Sequence, residues 1–368
     1  MQRQVAGVLL VLYSLLILTT FSGCELKYAE AKHPKCICLI LIDPNFNDSP
    51  FEIIELDNDP NKRFIKCRSS KIVLEKPCRV NYLKDYTKKA VVSGMLSNGK
   101  EYPVVIDSGF PGAEIIVNDV VAKENDLGIV LNKAVTSKQK TLSAEKRHQH
   151  SLCFLPQLKI GELTIEKPCC AYLPWHMEMQ LFGLTLYQDK DLLLGLSLMS
   201  RFRYIRFDNT KRQLEFSYDQ SFLPEEPTEW THYPFTLQEI GSSKSERIMV
   251  DIPIAEEICN IAFDTAGAGT VLMTDTWEKI RNRVISTTQN SKFVSFMHDS
   301  LSCSKAIIKT LSVGNVVIKN AEVMILPEDT PYLEKDMRGY ISIWTFKDTS
   351  VVLDFESSLM WIKNQESK

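Results

Sequence analysis

Several features are scarce in this sequence, and each scarcity removes a class of function. Neither sign of charge dominates, since 43 Lys and Arg face 46 Asp and Glu for a formal net charge of −3. Binding to nucleic acid or to an acidic lipid surface is therefore not implied. Histidine is rare, at 6 residues, and no Cys-x-x-Cys or His-x-x-x-His pair occurs. Cys36-x-Cys38 and the vicinal Cys169-Cys170 lack the spacing of a structural zinc site, so no metal or other cofactor is expected. Beyond the N-terminus no long apolar run is present, and 44% hydrophobic with 24% charged residues is the balance of a soluble globular protein. At 368 residues the chain has room for two domains of ordinary size.

What is present begins with an export signal. Arg3 precedes an uncharged apolar run from Val5 to Phe21, which ends in Ser22-Gly23-Cys24. The run is short for a membrane span, and small residues at its end suit a processing site. Ser-Gly-Cys in that place also resembles the lipobox of bacterial lipoproteins, which would make Cys24 the lipidated first residue and a membrane tether. A soluble secreted protein and an uncleaved anchor are the alternatives. Export suits the 10 cysteines, because disulfides persist in oxidising compartments. Setting Cys24 aside leaves an odd number, so at least one thiol is free or intermolecular, and sequence does not fix the connectivity.

The chain then repeats itself, in three blocks that recur in the same order. Tyr102-Pro-Val-Val-Ile-Asp107-Ser-Gly matches Cys259-Asn-Ile-Ala-Phe-Asp264-Thr-Ala. Leu158 to Pro174 aligns to Leu311 to Pro327 over seventeen positions without a gap. Leu193-Leu-Gly195 matches Met337-Arg-Gly339, and each is followed by a strand pair. Alternating and short Val/Ile/Leu-rich runs make both halves mainly β. Short helices are expected at 118–126, 274–285 and 197–202, and Pro224, Pro227 and Pro234 mark a linker over 222–234. The expected organisation is a signal peptide or lipobox over 1–24, an N-terminal segment of open role over 25–85, a first lobe over 86–222 and a second over 223–368. The segment 25–85 could extend a sheet joining the lobes, form a separate module or act as a pro-segment.

Each repeat ends an apolar strand in Asp, a hydroxyl residue and a residue with almost no side chain, which is a carboxylate held on a tight turn. Two such turns related by a pseudo-twofold axis set two carboxylates side by side, where they share one proton. The ionised member can activate a water while the protonated one donates to a carbonyl oxygen. Asp107-Ser108-Gly109 and Asp264-Thr265-Ala266 thus resemble the Asp-Thr/Ser-Gly motifs of pepsin-like and retropepsin-like aspartic peptidases, over roughly residues 86 to 363. The resemblance implies an all-β, two-lobed fold with pseudo-twofold related lobes. It also implies Asp107 and Asp264 as the catalytic pair, with Ser108, Gly109, Thr265 and Ala266 forming the turns that support them. The expected function is an aspartic endopeptidase acting on a peptide or protein held extended between the lobes. A catalytically inactive peptide-binding or scaffold lipoprotein with the same fold is the alternative, and oligomeric state is left open.

The sequence departs from the family pattern in three places. Ala266 stands where Gly is usual. Phe110 and Gly267 follow the triplets where pepsins carry a hydroxyl. The hairpin expected near 140–154 has neither the Tyr nor the Gly that pepsins place over the cleft. His148 and His150, with the basic run 138–147, read as a solvated loop, and Arg201, Arg203 and Arg206 as solvated strand edges.

Overall fold

The computed structural model describes residues 24–30, 51–55, 63–67 and 69–365, apart from 87–88, 111, 141–144, 174, 182–183, 241–244, 268, 295–299, 329 and 331–336. The apolar run 5–21 and Cys36 and Cys38 lie outside them. Cys24 opens the strand Cys24–Glu30, which pairs antiparallel with Trp175–Leu181. Among the described residues, no helix is long and apolar enough to cross a membrane.

Two large sheets dominate the described residues, one of ten strands and one of thirteen. The first contains Glu101–Asp107, which runs antiparallel to Val91–Leu96 and parallel to Leu192–Gly195. Leu192–Gly195 is in turn antiparallel to Ile115–Asn118, and that strand is parallel to Cys169–Leu173. The second sheet repeats this pattern element for element. Glu257–Asp264 runs antiparallel to Ser245–Ile254 and parallel to Gly339–Ser342. Gly339–Ser342 is antiparallel to Thr270–Met273, which is parallel to Val316–Leu326. The architecture is thus all-β and two-lobed, with each half carrying an Asp at the end of a central strand.

The gapless second repeat extends to backbone conformation. Gly161 and Gly314 have φ of 57° and 61°, and Lys167 and Asn320 both have φ of 51°. A non-glycine residue rarely adopts such a conformation, so its recurrence at matched positions reflects the same turns in both halves. The third repeat is different. Gly195 lies opposite Asp107, whereas Ser342, not Gly339, lies opposite Asp264. Gly195 and Ser342 each precede a short helix, Leu196–Met199 and Ile343–Phe346. The Gly-to-Gly match read from the sequence is therefore displaced along the strand. Gly339 is glycine for its own reason: it has φ of 137°, and a Cβ there would lie 2.2 Å from the Val271 carbonyl oxygen.

The halves join through the strands that follow the third repeat. Tyr204–Asp208 pairs antiparallel with Ser350–Asp354, with Tyr204 opposite Asp354 and Asp208 opposite Ser350. Gln213–Ser217 and Leu359–Lys363 flank this pair, and Cys78–Asn81 and Trp230–Pro234 lie outside them. The 222–234 segment is thus more than a linker, because the strand Trp230–Ile240 begins within it. Pro234 sits where that strand changes partner, from Leu359–Lys363 to Ser245–Ile254, a position that tolerates a missing N–H. One apolar core runs through both halves, with Ile106, Leu194, Phe263 and Phe346 among its buried side chains.

The N-terminal segment enters both sheets, Lys71–Val73 on the edge of one and Cys78–Asn81 on the edge of the other. A charged cluster fixes this attachment. Buried Glu114 accepts from the Ser70 N–H at 3.3 Å, the Ser70 hydroxyl at 3.1 Å, the Cys169 N–H at 2.8 Å and Arg201 Nη1 at 2.5 Å. Arg201 is thus the half-buried ion-pair partner of a buried carboxylate, set in the turn after Leu196–Met199, contrary to the solvated strand edge expected for it. A charge in such a place needs its partners, since an unpaired one is costly to bury. Arg206 likewise lies over the Trp230 ring, 5.5 Å from its centroid. His148 and His150 fall on the strand Glu145–Phe154 instead of a loop.

Candidate active site

The site begins with two parallel pairings, which place Asp107 and Asp264 at the ends of central strands. Beyond each Asp the chain turns sharply, and the two turns grip one another. The Ser108 N–H donates to the Thr265 hydroxyl at 2.8 Å, and the Thr265 N–H donates to the Ser108 hydroxyl at 3.0 Å. Each hydroxyl in turn donates across to the other half: Ser108 to the Phe263 carbonyl at 3.1 Å, and Thr265 to the Ile106 carbonyl at 2.7 Å. Ser108 and Thr265 are almost completely buried, so water cannot substitute in this network. Four bonds related by a pseudo-twofold axis bring the sequence-predicted residues together.

Within the turns, the Gly109 N–H donates to Asp107 Oδ1 at 2.9 Å. The Ala266 and Gly267 N–H groups donate to Asp264 Oδ1 at 2.9 and 3.0 Å. The added methyl of Ala266 leaves its turn intact, because Ala266 is absent from the residues with positive φ and keeps its bond to the carboxylate. Gly109 is more constrained: a Cβ at this position would lie 2.7 Å from Asp264 Cγ and 2.8 Å from each of its oxygens. That distance also shows how closely the first turn approaches the second carboxylate.

Electrostatics follow from this closeness. Burial, followed by the Asp264 charge, pushes the Asp107 carboxyl up to about 7. Burial raises Asp264 as well, opposed by the N–H groups of Ala266 and Gly267. Both residues remain half-buried rather than sealed off, as a solvent-reached pair requires. The exposed Lys89 lowers both carboxyls through its charge. Sequence reading missed Lys89, which lies in a Thr-Lys-Lys run that gives no signal of proximity to the aspartates. Its neighbour Ala90 accepts the Ile106 N–H at 3.0 Å, beside Asp107.

The shift carries a prediction about stability. Asp107 binds its proton more tightly in the folded chain than in the unfolded one. Its contribution is therefore complete below about pH 4, the ordinary Asp range, and is lost as pH rises through about 7. Asp107→Asn removes that loss. Urea midpoints of parent and variant are expected to converge at pH 4 and to separate at pH 8, where the variant is the more stable; equal midpoints at both values would contradict the coupling.

Among the described residues no group of three or more His, Cys, Asp or Glu is placed to hold a metal ion. The vicinal cysteines differ from one another: Cys169 is disulfide-bonded, whereas Cys170 is a free thiol, like Cys78, Cys153, Cys259 and Cys303.

No protein-family model matches the sequence, and no curated protein matches it. Among solved structures, the chain is similar to the protein edgp, at 13% identity and a TM-score of 0.47, over 79% of this chain and 95% of that one. It is similar to conglutin gamma, a basic 7S globulin from lupine seeds, at 10% identity and a TM-score of 0.42, over 81% and 96%. An aspartic proteinase from Irpex lacteus matches at 10% identity and a TM-score of 0.45, over 79% and 98%. The fold rests on this chain's own topology. Its repeated strand order and paired Asp turns define a two-lobed β fold of the aspartic-protease type.

Proposed function

We propose that this chain is an aspartic-type endopeptidase, a hydrolase that cleaves peptide bonds in an extended peptide or protein. The observation that carries this reading is the reciprocal Ser108–Thr265 grip, which holds the Asp107 and Asp264 turns face to face. In the proposed mechanism the pair shares one proton. The ionised carboxylate takes a proton from a bound water, the water oxygen attacks the scissile carbonyl carbon, and the other carboxyl donates its proton to the carbonyl oxygen. The tetrahedral gem-diol then collapses: the newly protonated carboxyl gives its proton to the departing amine, and a gem-diol hydroxyl returns its proton to the other carboxylate as the carbonyl re-forms, so the pair is again singly protonated. The nucleophile is the water and not a side chain, so no covalent enzyme intermediate is formed. Export is part of the same proposal, either as a lipoprotein tethered through Cys24 or as a secreted protein.

The test is cleavage of an unfolded protein substrate as a function of pH. Activity needs one proton on the pair, so kcat/KM is expected to fall as pH rises through about 7, the value to which Asp107 is pushed. A peptidomimetic mimic of the tetrahedral intermediate should compete with substrate. Tight binding of intact peptides with no products at any pH between about 3 and 8 would instead identify a binding protein of the same fold.

A further inference from the structure

The long hairpin of the first lobe, Ile129–Lys140 and Glu145–Phe154, is attached to its sheet through a short contact. Its second strand pairs with Cys169–Leu173 only from Ser151 to Phe154, opposite Tyr172 to Cys169. A register shift between Gln149 and Ser151 marks where the strand leaves that contact. Within it, Cys153 lies directly opposite Cys170. Both are free and fully buried; the Cys170 thiol donates to the Pro168 carbonyl at 3.4 Å, and burial, followed by the Cys153 thiol, pushes it up.

We propose that Cys153 and Cys170 are a disulfide-forming pair whose closure cross-links the base of this hairpin to the first-lobe sheet. Directly opposed residues on antiparallel strands have Cα atoms about 4.5 to 5.5 Å apart, within the range that a disulfide spans. Cys169 does not compete, because it is already bonded and successive strand residues face opposite sides of a sheet. The oxidant is a small-molecule disulfide such as glutathione disulfide. The thiolate of one cysteine attacks a sulfur of the oxidant, forming a mixed disulfide and releasing one reduced thiol. The second cysteine attacks that mixed disulfide, forming the Cys153–Cys170 bond and expelling the second reduced thiol. Two electrons and two protons thus pass to the oxidant. Burial keeps Cys170 protonated, so exchange in the folded chain is slow and the bond forms as the strands assemble.

The full chain would be refolded in glutathione buffers of increasing oxidised fraction, unfolded, alkylated with iodoacetamide and mapped by mass spectrometry. Under oxidising conditions a Cys153–Cys170 linked peptide is expected, lighter by two hydrogen atoms than the sum of its reduced halves. Hydrogen exchange in 151–154 should slow upon linkage, and dithiothreitol should reverse both effects. Cys153→Ala should leave Cys170 alkylated throughout. The mapping of the parent chain decides the matter even if this variant folds poorly. Alkylation of both cysteines at the most oxidising ratio, or linkage of Cys170 to any other cysteine, would overturn the proposal.

Discussion

Asp107→Asn and Asp264→Asn are each expected to lower kcat for peptide cleavage by roughly 10³-fold or more, with the fold intact. Asparagine matches aspartate in shape, and its carbonyl oxygen can still accept the N–H of Gly109 in one turn, or of Ala266 and Gly267 in the other. What it cannot do is gain or release a proton near neutral pH. Loss of either proton site stops the shared-proton cycle, so the double variant should be scarcely worse than the single ones. Initial-rate kinetics on one peptide, with circular dichroism to verify folding, are sufficient. Full activity in either single variant would reject the paired mechanism, and with it the assignment of these two residues.

Gly109→Ala should come close to this effect without touching an ionisable group. The new methyl carbon would meet Asp264 Cγ at 2.7 Å, well inside van der Waals contact, so the carboxylate or the turn has to shift. A displacement near 1 Å of a reacting group costs about 100-fold in rate. Stability should change much less, because Gly109 is exposed and does not have a positive φ. Ala266→Gly is the natural control. Its turn already accommodates a methyl, and kcat is expected to stay within about threefold of the parent. A Gly109→Ala enzyme of normal kcat would mean that the two turns stand further apart in solution than the grip implies.

The aspartates were legible because a duplicated chain states each of its turns twice. A single Asp-Ser-Gly is an ordinary turn tripeptide; its recurrence beside two further matching blocks is what pointed to a pair. The third block shows the limit of such reading. Glycine is conspicuous, so the sequence alone pairs Gly195 with Gly339. The strand register follows backbone position instead, and gives Ser342 as the counterpart. Arg201 illustrates a second limit. Alternation along an expected strand says which residues share a face, but not that Arg201 falls in a turn before the strand and meets a buried carboxylate 87 positions earlier in the chain, Glu114. Lys89 is a third case, since its charge reaches the dyad through space rather than through any motif.

By itself, then, the sequence determined most of the repeated strands, the twofold plan and the identity of the paired Asp turns, because apolar alternation and repeated turn chemistry are local properties. Only the tertiary structure decided that Ser108 and Thr265 exchange hydrogen bonds across the halves, that 78–81 belongs to the sheet joining them, and that Cys153 faces Cys170. Those facts depend on register and on contacts between distant segments. They are settled when separate strands compete for partners and a shared core closes around them.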